Sequence, residues 1–287
     1  MWLIYAIGSA FFAGVTSILA KCGIKKTDST VATAVRTIVV LIFSWGIVFL
    51  TGAGKGISQL EPKAVLFLVL SGMATGASWL CYFRALQLGN INKVVAIDKS
   101  STVLTILLAL IFLKEGISIP KLIALLLITA GIYLMIGKKK EQGQAQNGKS
   151  WFFYAVGSAV FASLTAILGK IGVSGINSNL GTAVRTGVVL VMAWLMVFVT
   201  GKQKEIREIS KRELLFICSS GIATGLSWLC YYRALSDGPA SVVAPVDKLS
   251  ILVTAAFSRI VFGERLEGKE KWGLLLLTVG TVFMALV

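Results

Sequence analysis

The chain has 287 residues, of which 56 % are hydrophobic and 14 % charged, and its formal net charge is +15 at pH 7. With a mean hydropathy of +0.84, folding in water would leave apolar patches on every side, which excludes a soluble globular domain. The lysines and arginines sit in short gaps between apolar blocks, not along a basic stripe with interleaved aromatics, so the positive balance reads as membrane topology and not as nucleic-acid binding.

The apolar blocks are each about twenty residues long, the length of helix that crosses a bilayer core. In chain order they cover 2–20, 31–50, 64–86, 94–113 and 119–136, then 151–169, 180–200, 214–235, 242–262 and 272–287. The polar stretch "GKKKEQGQAQNGKS" separates the first five from the second five. The first block has no basic residue before it and no small-residue cleavage site after it, so it is expected to remain as a membrane helix and not leave as a signal peptide. Cys22, Cys81, Cys218 and Cys230 lie in or beside apolar blocks without metal-ligand spacing and are expected to be inert thiols. There is no histidine, so no imidazole can act as base, relay or ligand. No cofactor and no metal is expected.

Shifted by 149 positions, the second half aligns on the first without a gap. Trp2 meets Trp151, Lys21 meets Lys170, and "TAVRT" at Thr33 meets "TAVRT" at Thr182. "SGMATGASWLCYFRAL" at Ser71 meets "SGIATGLSWLCYYRAL" at Ser220, Asp98-Lys99 meets Asp247-Lys248, and Glu115 meets Glu264. A shared hydrophobic bias does not place Arg on Arg and Asp-Lys on Asp-Lys. This is an internal duplication.

Five blocks is an odd number, so the second copy must enter the membrane from the opposite side. The expected fold is an all-α polytopic membrane protein with ten transmembrane helices in two inverted five-helix repeats, residues 1–137 and 151–287, joined by a polar linker, 138–150. One fold mounted in two opposed orientations supplies two states of nearly equal energy, open to opposite sides. If the N-terminus lies on side A, that side receives Lys55, Lys63, Lys114, Lys121, Lys170 and Arg233. Side B receives many more, among them Lys21, Lys25, Lys26, Lys138, Lys139, Lys140, Lys202, Lys204, Arg207, Lys211 and Arg212. By the positive-inside rule side B is cytoplasmic, which puts both termini outside the cell (inner) membrane.

The two five-helix halves, the Glu after each fourth block ("FLKEG" at Glu115, "VFGER" at Glu264) and the fifth blocks "LLLITAGIYLM" and "LLLLTVGTVFM" resemble the drug/metabolite transporter superfamily, and within it the EamA type. The resemblance covers the whole chain and implies the fold and a transport function. Many relatives carry a proline near the start of the fourth and ninth helices, where this chain has Asp-Lys in "VAIDKSS" and "VAPVDKLS". No cargo is therefore carried over.

Ionisable groups within membrane helices cost about 2.5–3.5 kcal/mol each on insertion scales and are functional candidates for that reason. Arg36, Asp98 and Lys99 fall at one level near side B, and inversion puts Arg185, Asp247 and Lys248 at the matching level near side A, with an uncharged band between. These layers are expected to act as gates, Arg36 pairing with Asp98 and Arg185 with Asp247, while Lys99 and Lys248 face the cargo. The other reading makes the Arg–Asp pairs structural and has the lysines snorkel to the interface.

Polar stripes at helical spacing mark expected pathway walls: Ser71, Thr75, Ser78 and Tyr82 on the third helix, repeated as Ser220, Thr224, Ser227 and Tyr231 on the eighth. Thr102 on the fourth helix and Thr254 on the ninth extend them, as do Ser9 and Thr16 on the first and Ser158 and Thr165 on the sixth. The same stripes could instead bond neighbouring helices. Trp79 and Trp228 stand near those faces, either to stack on a flat or cationic group or to anchor the helices at the interface. Gly72-x-x-x-Gly76 and Gly221-x-x-x-Gly225 are expected to pack the third helix on the eighth. Pro239 and Pro245, present only in the second half, are expected to loosen the start of the ninth helix.

The function read from these residues is secondary transport of a small organic metabolite, anionic, zwitterionic or amphiphilic, by alternating access; the alternative is a cationic drug or guanidinium exporter of small multidrug resistance character. An enzyme is not expected. The expected partners are the lipid bilayer and a small-molecule substrate, with a functional monomer or a dimer.

Overall fold

The computed structural model describes residues 1–23, 27–88, 91–116, 118–135, 150–262 and 268–287. The linker residues 138–149, Lys25, Lys26 and Glu264, all named above, lie outside the described residues. Among the described residues the chain is helical, with no strand. The first half contains α1 (Trp2–Gly23), α2 (Ser29–Leu50), α3 (Pro62–Leu88), α4 (Ile91–Lys99), α5 (Ser101–Phe112) and α6 (Ile119–Met135). The second contains α7 (Ser150–Val173), α8 (Ser178–Val199), α9 (Lys211–Asp237), α10 (Ala240–Lys248), α11 (Ser250–Phe262) and α12 (Gly268–Leu286). A short 3-10 helix follows α2 at Ala53–Gln59 and another follows α8 at Gln203–Glu208.

Local punctuation repeats with the sequence. Asp28 caps α2 by accepting from the backbone N–H of Thr30 at 2.8 Å, and Asn177 caps α8 by accepting from Asn179 at 3.0 Å. Both helices end at a threonine, Thr51 and Thr200, followed by a glycine in the left-handed region, Gly52 at φ 66° and Gly201 at φ 69°. Among the described residues seven helical stretches are long and apolar enough to cross a membrane: α1, α2, Pro62–Leu86 of α3, α7, α8, α9 and Ala240–Phe257; α6 is a shorter apolar helix. Large apolar side chains such as Ile4, Ile42, Leu126 and Leu215 are exposed on the outer surface, as lipid contact requires.

The structure departs from the sequence reading at the fourth and ninth blocks, each of which was expected to be one helix. Each is two helices, broken directly after Asp98-Lys99 and Asp247-Lys248. At the first break the N–H of Ser100 turns to the carbonyl of Ile97 at 3.0 Å, three residues back, and its hydroxyl donates to the same carbonyl at 2.5 Å. At the second the N–H of Leu249 reaches the carbonyl of Val246 at 3.0 Å. These tightened turns end the α-helical ladder. Pro245 lies inside α10, but the first copy breaks at the same place without a proline, so the prolines do not cause the break.

Helices of one half pack on helices of the other, and the pairs α3–α7 and α1–α9 run antiparallel. In the α3–α7 pair, Ser78 meets Ser158 while Ser71 meets Thr165. In α1–α9, Ser9 meets Ser227 while Thr16 meets Thr224. The corresponding helices α2 and α8 also lie together, as do α6 and α12. A Cβ on Gly131 would stand 2.5 Å from the backbone nitrogen of Leu277, and one on Gly280 would stand 2.9 Å from that of Ile128, so α6 and α12 touch backbone to backbone.

The paired glycines of α3 and α9 do not pack those helices on each other, as was expected. A Cβ on Gly72 would meet Val188 at 2.7 Å and one on Gly76 would meet Met192 at 2.5 Å, both on α8. Gly221 and Gly225 likewise receive Val39 and Phe43 of α2, each at 2.7 Å. The motif permits a close approach to any helix and does not choose the partner.

Candidate functional site

Helices of both halves line a cavity of about 360 Å³. Thr75, Ser78 and Trp79 reach it from α3, and Ser227, Trp228, Tyr231 and Tyr232 from α9. Arg185 of α8 and Asp247 and Lys248 at the end of α10 bring its charges. Ala13 of α1, with Ala162, Thr165 and Ala166 of α7, forms the rest of the wall. Both halves therefore contribute to one space.

Two matching serine chains flank it. Ser158 donates to Asp98 at 2.8 Å and lies 3.4 Å from Ser78. In the other copy Ser9 donates to Asp247 at 2.6 Å and lies 3.4 Å from Ser227. Ser78 and Ser227 also donate to the carbonyls of Ser158 and Ser9, each at 3.1 Å. Each half-buried aspartate thus takes a hydroxyl from the opposite half. Lys248 lies 3.9 Å from Asp247, while Lys99, at the end of α4, is exposed and does not line the cavity.

The arginines do not pair with the aspartates in this conformation. Arg185, only 2 % exposed, donates from Nε to Ser71 at 3.0 Å and from Nη2 to Thr75 at 2.5 Å. Its guanidinium carbon lies 5.2 Å from the ring centre of Trp228 and 4.8 Å from that of Tyr232. Nη1 is buried and has no hydrogen-bond partner among the described residues. Arg36, the equivalent residue, is half-buried, and among the described residues it donates only to Thr33 of its own helix, at 3.4 Å. The reason is geometric: the polar stripe of α3 stands directly before α8 and offers hydroxyls, whereas the aspartates are held by serines.

The other expected residues are placed as follows. Ser71 donates to the carbonyl of Thr165 and so ties α3 to α7. Ser220 donates to the carbonyl of Ile217 and Thr224 to that of Ser220, both in their own helix, and Thr224 Oγ1 lies 3.4 Å from Thr16 Oγ1. Tyr82 is half-buried and packs on the small cluster of Ala85, Val94 and Ala155. Thr102 is buried, and Thr254 donates to the carbonyl of Ser250 in α11; neither lines the cavity.

Three residues matter here that the sequence reading did not single out as site residues. Tyr232 stands where the first copy has Phe83, and that difference between copies was a readable signal. On side A, Glu115 accepts from the N–H groups of Ala240 at 2.6 Å and Ser241 at 2.9 Å, capping α10 from the other half. Lys170 donates to the carbonyl of Gly238 at 2.8 Å, closing the same turn from α7.

An all-helical membrane protein with a polar, charged cavity between two packed halves belongs to the class of helical membrane transporters. The model of the EamA-like transporter family matches residues 1–137 and again 149–286, and the chain belongs to that family. A Sinorhizobium protein described as an uncharacterized transporter is 44 % identical over 137 residues, which are 48 % of this chain and 97 % of that one. That relative is therefore about the size of one half. A Bacillus subtilis protein of the same description is 20 % identical over 221 residues, 77 % of this chain and 70 % of its own. A solved crystal structure superposes with a TM-score of 0.77 at 16 % identity, covering 98 % of this chain and 95 % of the other, which is a likeness of fold.

Proposed function

We propose that this transporter is a secondary active carrier working by alternating access, with ten membrane crossings in two five-helix repeats of opposite topology. α4–α5 and α10–α11 each count as one broken crossing. The supporting observation is that the two copies of one arginine are in unequal states. Arg185 is buried on Ser71 and Thr75, while Arg36 is undocked, although Ser220 and Thr224 occupy the equivalent positions on α9.

The surroundings follow the same pattern. Thr182, Tyr232, Ala244 and Val246 of the second copy are buried, and their counterparts Thr33, Phe83, Val95 and Ile97 are half-buried. One fold held in two conformations within one molecule is what alternating access needs, since exchanging them closes one mouth and opens the other. On this reading the Arg185 side is closed and the Arg36 side is open, and the basic loops put the open side toward the cytoplasm.

The cargo is a small organic metabolite. Asp247 and Trp228 in the cavity favour a second reading, export of a cationic compound. The topology is tested with single cysteines in equivalent loops, Lys55→Cys and Lys204→Cys, on a background freed of the native thiols. An impermeant maleimide is expected to label the first in intact cells and the second only after permeabilisation. Labelling of both from one side would refute the inverted arrangement and the cycle built on it.

A further inference from the structure

We infer that the cavity binds organic anions of net charge −1, their acidic head group held by Arg185; this rests on the transporter reading only in treating the cavity as the cargo site. Arg185 is a charged fork already fixed in place, with Nε on Ser71 and Nη2 on Thr75. Both acceptors are neutral hydroxyls, so the guanidinium keeps its full charge. Nη1 is buried without a hydrogen-bond partner among the described residues, in a side chain that lines the cavity. A buried donor of this kind loses its hydration without return until an acceptor arrives. A guanidinium presents its N–H groups in one plane, the geometry that suits a carboxylate or another flat acidic group.

The remaining charges of the lining fix the sign of the ligand. Asp247 and Lys248 stand 3.9 Å apart and offset each other, which leaves one positive charge, on Arg185. A dianion would need Lys248 without its aspartate. A zwitterion would place its ammonium on Asp247, which is already engaged by Ser9 at 2.6 Å and by Lys248. A monoanion meets neither conflict. Trp79 and Trp228 supply apolar surface for the body of the molecule, and a space of about 360 Å³ limits it to a small one.

The test is calorimetric binding to the purified full-length protein in detergent, with butyrate, phenylacetate, phenylacetamide, phenethylamine and phenylalanine as probes. A carboxylate is expected to bind at least about tenfold more tightly than the neutral amide, the amine and the zwitterion, the size of a charged hydrogen bond. Arg185→Gln is expected to remove that preference, and Arg185→Lys to keep part of it, since the charge stays and the fork goes. Because Arg185 also ties α8 to α3, Lys248→Gln provides a variant that leaves the tie intact; with the cavity charge cancelled, it is expected to weaken the carboxylate several-fold.

Three outcomes would overturn the inference: amide, amine or zwitterion binding as tightly as the carboxylates; neither carboxylate binding at about 1 mM; or carboxylate affinity unchanged in folded Arg185→Gln. Each readout is binding and not flux. Anion binding without transport would therefore count against the carrier reading alone, and flux without anion preference against this inference alone.

Discussion

Arg185 and Ser71, 114 positions apart in the chain, meet where α8 crosses α3, with Nε donating to Oγ at 3.0 Å. The contact joins the two halves through a charged hydrogen bond, and its counterpart in the other copy is absent. Arg36 bonds within its own helix, while the hydroxyls of Ser220 and Thr224 are spent on α9 carbonyls and on Thr16.

The asymmetry sets up a paired comparison. Ser71→Ala with Thr75→Val takes both acceptors from a buried guanidinium. Hydrogen bonds to charged groups contribute about 1.5–3 kcal/mol each, so this variant is expected to melt several degrees lower in detergent. Ser220→Ala with Thr224→Val removes hydroxyls that hold no arginine in this conformation and is expected to shift the melting temperature less. Equal shifts would count against unequal docking.

Glu115 predicts a change in side-A access. Its carboxylate satisfies the N–H groups of Ala240 and Ser241 at the start of α10, and Lys170 holds the turn before it. Losing an N-terminal cap costs about 0.5–2 kcal/mol, and here the cap comes from the opposite half, so the cost falls on the contact between the halves at side A. In a cysteine-free background carrying Ala162→Cys in the cavity wall, Glu115→Ala is expected to speed modification by an impermeant reagent added from side A. Glu115→Gln, which keeps one acceptor, should fall between. An unchanged rate in Glu115→Ala would remove this residue from the gate.

Much of this arrangement was legible in the sequence, for physical reasons that also mark where legibility ended. Arg36 and Arg185 align because a charge inside a membrane is costly enough to stand out, and the "TAVRT" framing them fixes the register. The polar stripes of α3 and α9 lie on one face each, and Thr75, Ser78, Ser227 and Tyr231 from them line the cavity. What the sequence did not reveal was partnership. Matching opposite charges paired Arg185 with Asp247, but the residue facing Arg185 is decided by a helix–helix crossing, which puts Ser71 and Thr75 there. The helix breaks were hidden as well, because Asp98-Lys99-Ser100 carries no glycine or proline and the turn arises from the backbone bond of Ser100 to Ile97. Ala13, Ala162 and Ala166 line the cavity by being small, which no composition rule flags.

The α6–α12 contact predicts a severe packing effect far from the cavity. Gly131 faces the backbone of Leu277, and a Cβ there would stand 2.5 Å from its nitrogen and 2.8 Å from the carbonyl oxygen of Gly273. Backbone atoms cannot rotate away as a side-chain tip can, so Gly131→Val must push the helices apart. Overpacking typically costs about 1–3 kcal/mol. The variant is expected to show a lower melting temperature and more aggregate on size exclusion. Gly46→Val, where a Cβ would meet nothing within 4 Å, is the matched control and is expected to behave as wild type.

Asp28 predicts an acid-side loss of stability confined to one loop pair. Burial alone would raise its pKa, but the Lys202 ammonium and the N–H of Thr30 hold the carboxyl below its ordinary value of 3.8. With the folded pKa depressed, the carboxylate contributes stability that is fully present above the unfolded value, and protonation removes it as the pH falls from there through the folded one. Asp28→Asn keeps the helix cap, as Asn177 does at the matching position of α8, and removes only the charge. The variant is expected to melt slightly below wild type at neutral pH and to converge with it as the pH drops below about 4. Lys202→Met should reproduce that convergence. A gap between wild type and Asp28→Asn that persists or widens at low pH would show that the Lys202 contact does not stabilise the fold.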